Sequence, residues 1–323
     1  MRRLLVTCVL GLTPFFGGLS WAQSGKFPDQ PIKIIVPFAP GGGVDQAGRM
    51  LAKQMQARLN VPVVVENRAG ANGTVGGKAV QVAPADGHTL LFSAATHLLS
   101  NLVMAKPPYD PVADFSPVAR VGEAPLLLVI SPQLKEQKLS EVVESARAAP
   151  DKWTAAVPAM GAPSHLATLM LAQKSKIKLT LAPYKGTAPA LIDVAGGHTQ
   201  ILLDSIVSLL PMAKTGKVRP VVTTSAKRSA LAPDIPTAIE SGVPGMVYAT
   251  WYGVWAPPGT PAERVQWLNQ TINEAIAELV KSGQLAQLGV DGIAESVEQF
   301  QKFIAADVTQ SAELLRSAGF KPE

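Results

Sequence analysis

The sequence predicts an α/β protein of two lobes with a cleft between them. Three observations lead there. Strand, glycine loop and helix follow one another twice before residue 95, and a second block of the same kind begins near Pro125. About 300 residues remain once an N-terminal export segment is set aside, more than a single hydrophobic core usually serves. Hydrophobic residues make up 47% of the chain but aromatics only 6%. A core of Ala, Val and Leu suits helices interleaved with strands better than a β-sandwich. Small ligands commonly sit in clefts between such lobes.

Ile32 to Pro37 is a β-branched run ending in a turn, the pattern of a buried strand. Pro40-Gly41-Gly42-Gly43 follows, and Ala47, Met50, Leu51, Met55 and Leu59 recur at helical spacing. Pro62 to Glu66 reads as a second strand, Gly70 to Gly77 as a second glycine-rich turn, and Lys78 to Ala83 as a helix stopped by Pro84. Asp86-Gly87 turns the chain into a third strand, Thr89 to Ala94. Alternation of this kind indicates βαβ units and a largely parallel sheet.

In the second block, Leu126 to Ile130 is a strand and Leu139 to Ala149 a helix closed by Pro150. Strands are expected at Thr154 to Val157, Lys178 to Tyr184, Gln200 to Asp204 and Val218 to Thr224, with helices from Ser164 to about Lys174 and from Pro189 to Val194. Trp251, Tyr252 and Trp255 read as core or interlobe packing. The tail is helical over Pro261 to Ser282 and Val297 to Ser317, with Val265, Leu268, Ile272, Ile276 and Leu279 on one stripe.

The N-terminus reads as a signal peptide of residues 1–22. Arg2 and Arg3 give a positive start, Leu4 to Leu19 is apolar, and Ser20-Trp21-Ala22 supplies small residues for cleavage. The apolar stretch is shorter than the roughly 20 residues a spanning helix needs. Cys8 is the only cysteine and leaves with the signal, so disulfides, thiolate metal sites and a cysteine nucleophile are excluded from the mature chain. Loss of two arginines lowers the net charge of +5 by two. With so mild a charge and no Lys/Arg run, no nucleic-acid partner is expected.

Phe38 to Asp45 is the sharpest local feature. Its three glycines let backbone N–H groups approach a ligand, and the following helix points its positive end there, an arrangement that favours an anion. No Gly-Lys-Ser/Thr follows and the G-x-G-x-x-G spacing is absent, so it is not a nucleotide loop. A turn that only packs the helix on its sheet fits the same residues. Gly70-Ala71-Asn72-Gly73 repeats the device, and loops at the carboxyl ends of parallel strands meet along one edge. In the second block, Met160-Gly161-Ala162-Pro163-Ser164-His165 opens a helix that Ser164 can cap, or where it can donate its hydroxyl. His165 fits the cleft or a structural role equally. Tyr184 to Gly186 and Asp204 lie at further strand ends. There is no Gly-x-Ser-x-Gly elbow, and the four histidines lack i, i+4 spacing, so neither a catalytic residue nor a metal or cofactor is assigned.

Taken together, Pro31 to Asp45, Val64 to Gly73, Ala85 to Leu91, Tyr109-Asp110-Pro111, Asp114-Phe115, Pro183 to Gly186, Asp234 to Thr237 and Ala256 to Pro261 resemble the motifs of the solute-binding receptors of tripartite tricarboxylate transporters, the Bug-type family. They recur in order along nearly the whole mature chain. The resemblance implies a periplasmic-binding-protein fold, type II-like, and a function: capture of a small carboxylate in the periplasm and delivery to integral-membrane permease subunits. A monomer without a membrane span is expected. Residues 23–124 plus 228–323 would form one lobe and residues 125–227 the other. By the same resemblance, Phe38, Gly42, Gly43, Asp45, Asn72 and Gly73 hold a carboxylate, partly through water. Ser93 and Thr96 complete the cleft, and Ala162, Ser164, His165, Tyr184, Gly186 and Asp204 contribute from the second lobe. Many relatives carry glycine-serine where this chain has Gly161-Ala162, so one hydroxyl donor is lost and Ser164 is the residue placed to compensate. Two other roles fit the same residues: a receptor presenting its ligand to a membrane sensor kinase, and a secreted hydrolase using His165.

Overall fold

The computed structural model describes residues 27–322. The signal peptide expected at 1–22 lies outside them. In chain order the elements are β1 (Ile32–Val36), α1 (Gly43–Leu59), β2 (Val63–Asn67), α2 (Thr74–Gln81), β3 (Thr89–Ala94), α3 (Ser100–Val103) and β4 (Ser116–Ile130). There follow α4 (Leu139–Ala148), β5 (Thr154–Val157), α5 (Pro163–Ser175), β6 (Thr180–Pro183), α6 (Thr187–Gly196), β7 (Ile201–Ser205), α7 (Ile206–Lys214) and β8 (Arg219–Thr223). The chain ends with β9 (Ala249–Ala256), α8 (Ala262–Lys281), α9 (Gln284–Leu288), β10 (Asp291–Gly292) and α10 (Val297–Ser317).

Two sheets are built on one plan. In the first, β2, β1 and β3 are parallel in that order, and β9 joins β3 antiparallel. In the second, β6, β5 and β7 are parallel in that order, and β4 joins β7 antiparallel. The parallel sheet expected from sequence is therefore two parallel triplets, each extended by antiparallel strands. β4 serves both sheets. Its first half pairs with β9 as far as Pro125↔Ala249, and from Leu126 it pairs with β7 and β8. Beside that crossing, Thr224 N–H donates to the Leu126 carbonyl at 2.9 Å and Tyr248 N–H to the Thr224 carbonyl at 3.0 Å. Two stretches of chain thus cross side by side between the lobes, as in periplasmic binding proteins.

The glycines of the second loop are a correction. Gly70 to Gly77 reads as one turn, but α2 already begins at Thr74. Gly76 and Gly77 are helical, and they are glycines because the helix lies close to its neighbours. A Cβ at Gly76 would stand 2.8 Å from Pro37 Cβ, and one at Gly77 1.9 Å from the Tyr109 hydroxyl oxygen. Tertiary contact overrides helix propensity here.

Burial follows the sheets. Ile32, Ile34, Leu90, Phe92 and Val254 form one core, and Leu126, Leu128, Ile130, Leu171 and Leu203 another. Under α10, Trp251, Trp255 and Phe300 meet edge to face or tilted, with centroids 5.6–5.9 Å apart, a favoured geometry for aromatic rings. No helix among the described residues is long and apolar enough to cross a membrane.

Candidate functional site

In each sheet the connections leaving the first and third parallel strands diverge, and the crevice they leave is where open α/β sheets bind ligands. Here the two crevices face each other. The cavity between them takes Phe38, Gly42, Gly43, Val44 and Asp45 from the end of β1, and Ala94 and Thr96 from the end of β3. Opposite stand Pro158, Ala159, Ala162, Pro163 and Ser164 after β5, Gly186 and Thr187 after β6, and Asp204 and Ser205 at the end of β7. Thr250 and Tyr252 of β9 complete the wall. A larger hollow of about 690 Å³ between Phe115, Val265, Val297 and Ile304 lies away from these strand ends.

The cavity is nearly shut, with a volume of about 40 Å³. That is room for ordered water but far below the several hundred Å³ of ordinary ligand pockets. The two walls touch directly. Ala39 N–H donates to the Lys185 carbonyl at 3.4 Å, and Met160 N–H to Asn72 Oδ1 at 3.3 Å. Entry of a ligand therefore requires the lobes to part and close again.

Helix ends dominate the electrostatics. The N-cap positions of α1, α5 and α6 are Gly42, Ala162 and Gly186, and none supplies a side-chain cap. Their first-turn amides are left for another acceptor, and each helix carries about half a positive charge at that end. α7 starts at the same wall, capped by Ser205 Oγ, which accepts from Val207 N–H at 3.3 Å. Among the described residues lining the cavity there is no lysine or arginine. Anion binding therefore falls to backbone and hydroxyl groups. Gly43 has to be glycine because α1 starts hard against both walls: a Cβ there would meet the Tyr252 hydroxyl of its own sheet at 2.9 Å and Ser208 Oγ of the opposite one at 3.1 Å.

Nine of the residues expected at a site line this cavity: Phe38, Gly42, Gly43, Asp45, Thr96, Ala162, Ser164, Gly186 and Asp204. Ser164 is 1% exposed, and its hydroxyl has no partner within the protein. A buried hydroxyl in that state is poised for a ligand or water. Asp45 organises the glycine loop. Its carboxylate accepts from Gly41 N–H at 2.9 Å, Arg49 Nε at 3.0 Å and Asn67 Nδ2 at 2.8 Å. Burial acts to raise the Asp45 pKa, but those donors together hold it below 3.8. The stability it contributes is fully present above pH 3.8 and is lost as pH falls through its lowered folded value. Asp45→Asn is expected to cost about 1–2 kcal/mol at neutral pH, since Arg49 is half exposed and screened. The gap to wild type should narrow between about pH 5 and pH 3 in urea melts. A pH-independent gap would contradict this role.

The other five residues lie off the cavity wall. Asn72, in the left-handed region at φ 53°, makes the bridge to Met160, and Gly73 leaves room for the Phe38 ring, 3.3 Å from where its Cβ would be. Ser93 is fully buried within β3 opposite Gly253. The Tyr184 hydroxyl donates to Asp193 Oδ2 at 2.5 Å, and burial with that carboxylate pushes its pKa up to about 12. His165 accepts from Gly161 N–H through Nδ1 at 3.1 Å, and its ring packs against Phe320 at 5.1 Å. Burial lowers its pKa to about 4, so the ring is neutral.

Sequence reasoning missed Thr187, Ser205, Thr250 and Tyr252. Thr187 and Ser205 each stand where a strand gives way to a helix, so a search for cap residues after every strand finds them. Thr250 and Tyr252 lie on β9, a strand that pattern reading had not placed.

A fold of two sheets crossed by β4, closing on a cavity ringed by helix N-termini, defines a solute-binding protein of the periplasmic-binding class. The model of the tripartite tricarboxylate transporter family receptor matches residues 47–320. Protein BugT of Bordetella pertussis is 35% identical over 99% of both chains. An R. palustris protein solved with adipate superposes at a TM-score of 0.88, with 30% identity over 92% of this chain and all of that one. MatC of Rhodopseudomonas palustris, with bound malate, gives 0.82, with 31% identity over 90% of this chain and all of that one. The chain belongs to the tripartite tricarboxylate transporter receptor family.

Proposed function

We propose that this protein is an exported, extracytoplasmic receptor that captures a small carboxylate without altering it and delivers it to the permease of a tripartite transporter. The observation that carries the reading is the convergence of three uncapped helix N-termini, from both sheets, on one cavity whose described lining holds no cationic side chain. A carboxylate completes the first-turn amides and gains from the helix dipoles. The ligands adipate and malate of the two R. palustris relatives fit this chemistry. The positive start, apolar Leu4 to Leu19 and small residues to Ala22 support export to the periplasm. In this reading, residues 23–124 plus 228–323 and residues 125–227 are the two lobes that close, and contacts from both to one ligand hold them shut.

Phe38, Gly42, Gly43, Thr96, Ala162, Ser164, Gly186 and Thr187 are the residues proposed to face the ligand. Ser164→Ala should weaken binding about ten- to a hundredfold, the worth of one hydrogen bond to a charged group. Equal affinity by titration calorimetry would remove Ser164 from the site. The reading as a whole is tested by thermal shift of the mature protein against a panel of carboxylates. A ligand at a hundredfold excess over its Kd stabilises the folded state by about 2.7 kcal/mol. One chemical class should raise the melting point and be recovered intact. A flat panel, with no acid co-purifying in native mass spectrometry, would refute carboxylate binding.

A further inference from the structure

Charge is divided unequally along this chain. Residues 125–227 hold twelve Lys and Arg against six Asp and Glu. The rest of the mature chain, residues 23–124 plus 228–323, holds fifteen against eighteen. The first share is +6 and the second −3, a contrast that the mild total conceals.

The fold gathers most of the positive charge at one end. The carboxyl ends of β5, β6 and β7 lead into the cavity wall, so their first residues mark the opposite, outer end of the second lobe. Lys152 and Lys178 stand two residues before β5 and β6, and the register Thr154↔Thr180 puts them side by side. Lys174 and Lys176 lie where α5, which starts at the cavity, runs out. Lys214 and Lys217 follow from α7 in the same way. β4 is antiparallel to β7 with Ile130 opposite Ile201, so the segment carrying Lys135 and Lys138 also leaves at this end. All eight lysines are exposed, and none has a salt bridge among the described residues. Arg147 joins Lys174 and Lys176 around one hollow, where Glu144 is the only acid in the described lining. Of the other acids at this end, Asp151 and Asp234 are exposed and Glu136 is buried. Glu141, Asp193 and Glu240 are engaged by the Gln137 amide, the Tyr184 hydroxyl and Arg228.

Unpaired charge gathered in this way repels itself until an anion covers it. The residue types say what kind of surface fits. Protein interfaces are depleted in lysine and anchored by aromatics and arginine. Here lysines far outnumber arginines, and no aromatic side chain among the described residues is exposed. Lysine is a hydrated point charge on a flexible stem, which suits a diffuse field of phosphates better than a carboxylate of fixed geometry.

We infer that the outer end of the second lobe is a docking surface for an anionic phospholipid bilayer. The inference leans on the receptor reading only for placing the protein beside a membrane. Docked in this way, the lysines face the lipid phosphates and the negative lobe is pushed away from them. The cavity, at the opposite end of the same lobe, stays clear of the lipid, so a ligand can enter and leave on the surface. Docking also turns a search through bulk volume into one along the membrane that holds the permease.

The test is co-sedimentation of the mature protein with vesicles of phosphatidylcholine, either alone or with roughly a third phosphatidylglycerol. Three charge reversals at this end, Lys152→Glu, Lys174→Glu and Lys178→Glu, are compared with three on the other lobe, Lys53→Glu, Lys281→Glu and Lys302→Glu. The two triple variants share one net charge, and all six lysines are exposed with no salt bridge among the described residues. Matched thermal melts check that both are folded. Wild type should bind the anionic vesicles and not the neutral ones at about 0.02 M salt, and release them at about 0.3 M as screening shortens the reach of the charges. The second-lobe triple should bind on the order of a hundredfold more weakly, and the other triple within about fivefold of wild type. No binding of wild type to anionic vesicles at low salt, equal binding to both vesicles, or equal loss in the two triples overturns the inference. None of these outcomes touches carboxylate capture, which the thermal-shift panel decides on its own.

Discussion

Gly43→Val should abolish ligand binding while leaving the protein folded. The position is the first residue of α1, and a Cβ there already lies 2.9 Å from the Tyr252 hydroxyl and 3.3 Å from Ser205 Cβ. Tyr252 cannot swing aside, because it is 1% exposed and bonded to Ser205. Ser205 and Ser208, 3.3 and 3.1 Å from that Cβ, belong to the opposite wall, so the added methyls hold the walls apart. Removing the α1 amides from the ligand and blocking closure together should cost at least a hundredfold in affinity, roughly 3 kcal/mol. The melting point should fall only modestly, since opening relieves the contacts with Ser205 and Ser208 but not the one with Tyr252, which stands in the same sheet as β1. Small-angle scattering should show a more extended particle that no ligand compacts. Affinity within threefold of wild type would mean that α1 does not touch the ligand.

Gly77→Val is expected to have the largest effect on stability. The substitution removes a glycine from a helix, which by propensity alone is neutral to mildly favourable. Packing decides against it. The Cβ would fall 1.9 Å from the Tyr109 hydroxyl oxygen, and Tyr109 is fixed between His97 and Phe115, with centroids at 5.8 and 5.1 Å. Forcing that ring out of place should cost about 3 kcal/mol, at the upper end of overpacking effects. In a chain of this size that lowers Tm by several degrees. A Tm within about 1 °C of wild type would show that Tyr109 has another place to go.

The same glycine shows where sequence reading met its limit. Gly41 to Gly43 and Gly70 to Gly77 look alike in sequence, yet the first leaves a helix end open to a cavity while the second is half helix, with glycines chosen by the neighbours they meet. Nothing local distinguishes the two. α8 and α10 were legible because their apolar residues repeat at the helical period, and β1 and β3 because short apolar runs stand beside turn residues. β9 was not, because it is buried on both faces and its Trp251, Tyr252 and Trp255 do not alternate with polar residues. α7 was missed because Ile206 to Leu210 continues the apolar run of β7 and Pro211 stands inside the helix. At the site, the loops after β1 and β5 could be read from their glycine and proline content. The Asp204–Thr187 contact could not, since it joins two strand ends that only the sheet order brings together.

The placing of β9 also bears on how the chain acquires its shape. This strand lies between β3 and β4 in the first sheet, yet almost half the sequence separates it from β3. Until residues 249–256 arrive, the edge of β3 and the first half of β4 have no partner, and exposed edges of that kind invite pairing with other chains. The strands β5 to β8, by contrast, are contiguous with the second half of β4. The middle of the chain thus carries its own strand pairings, while the outer portions depend on the late strand that joins them.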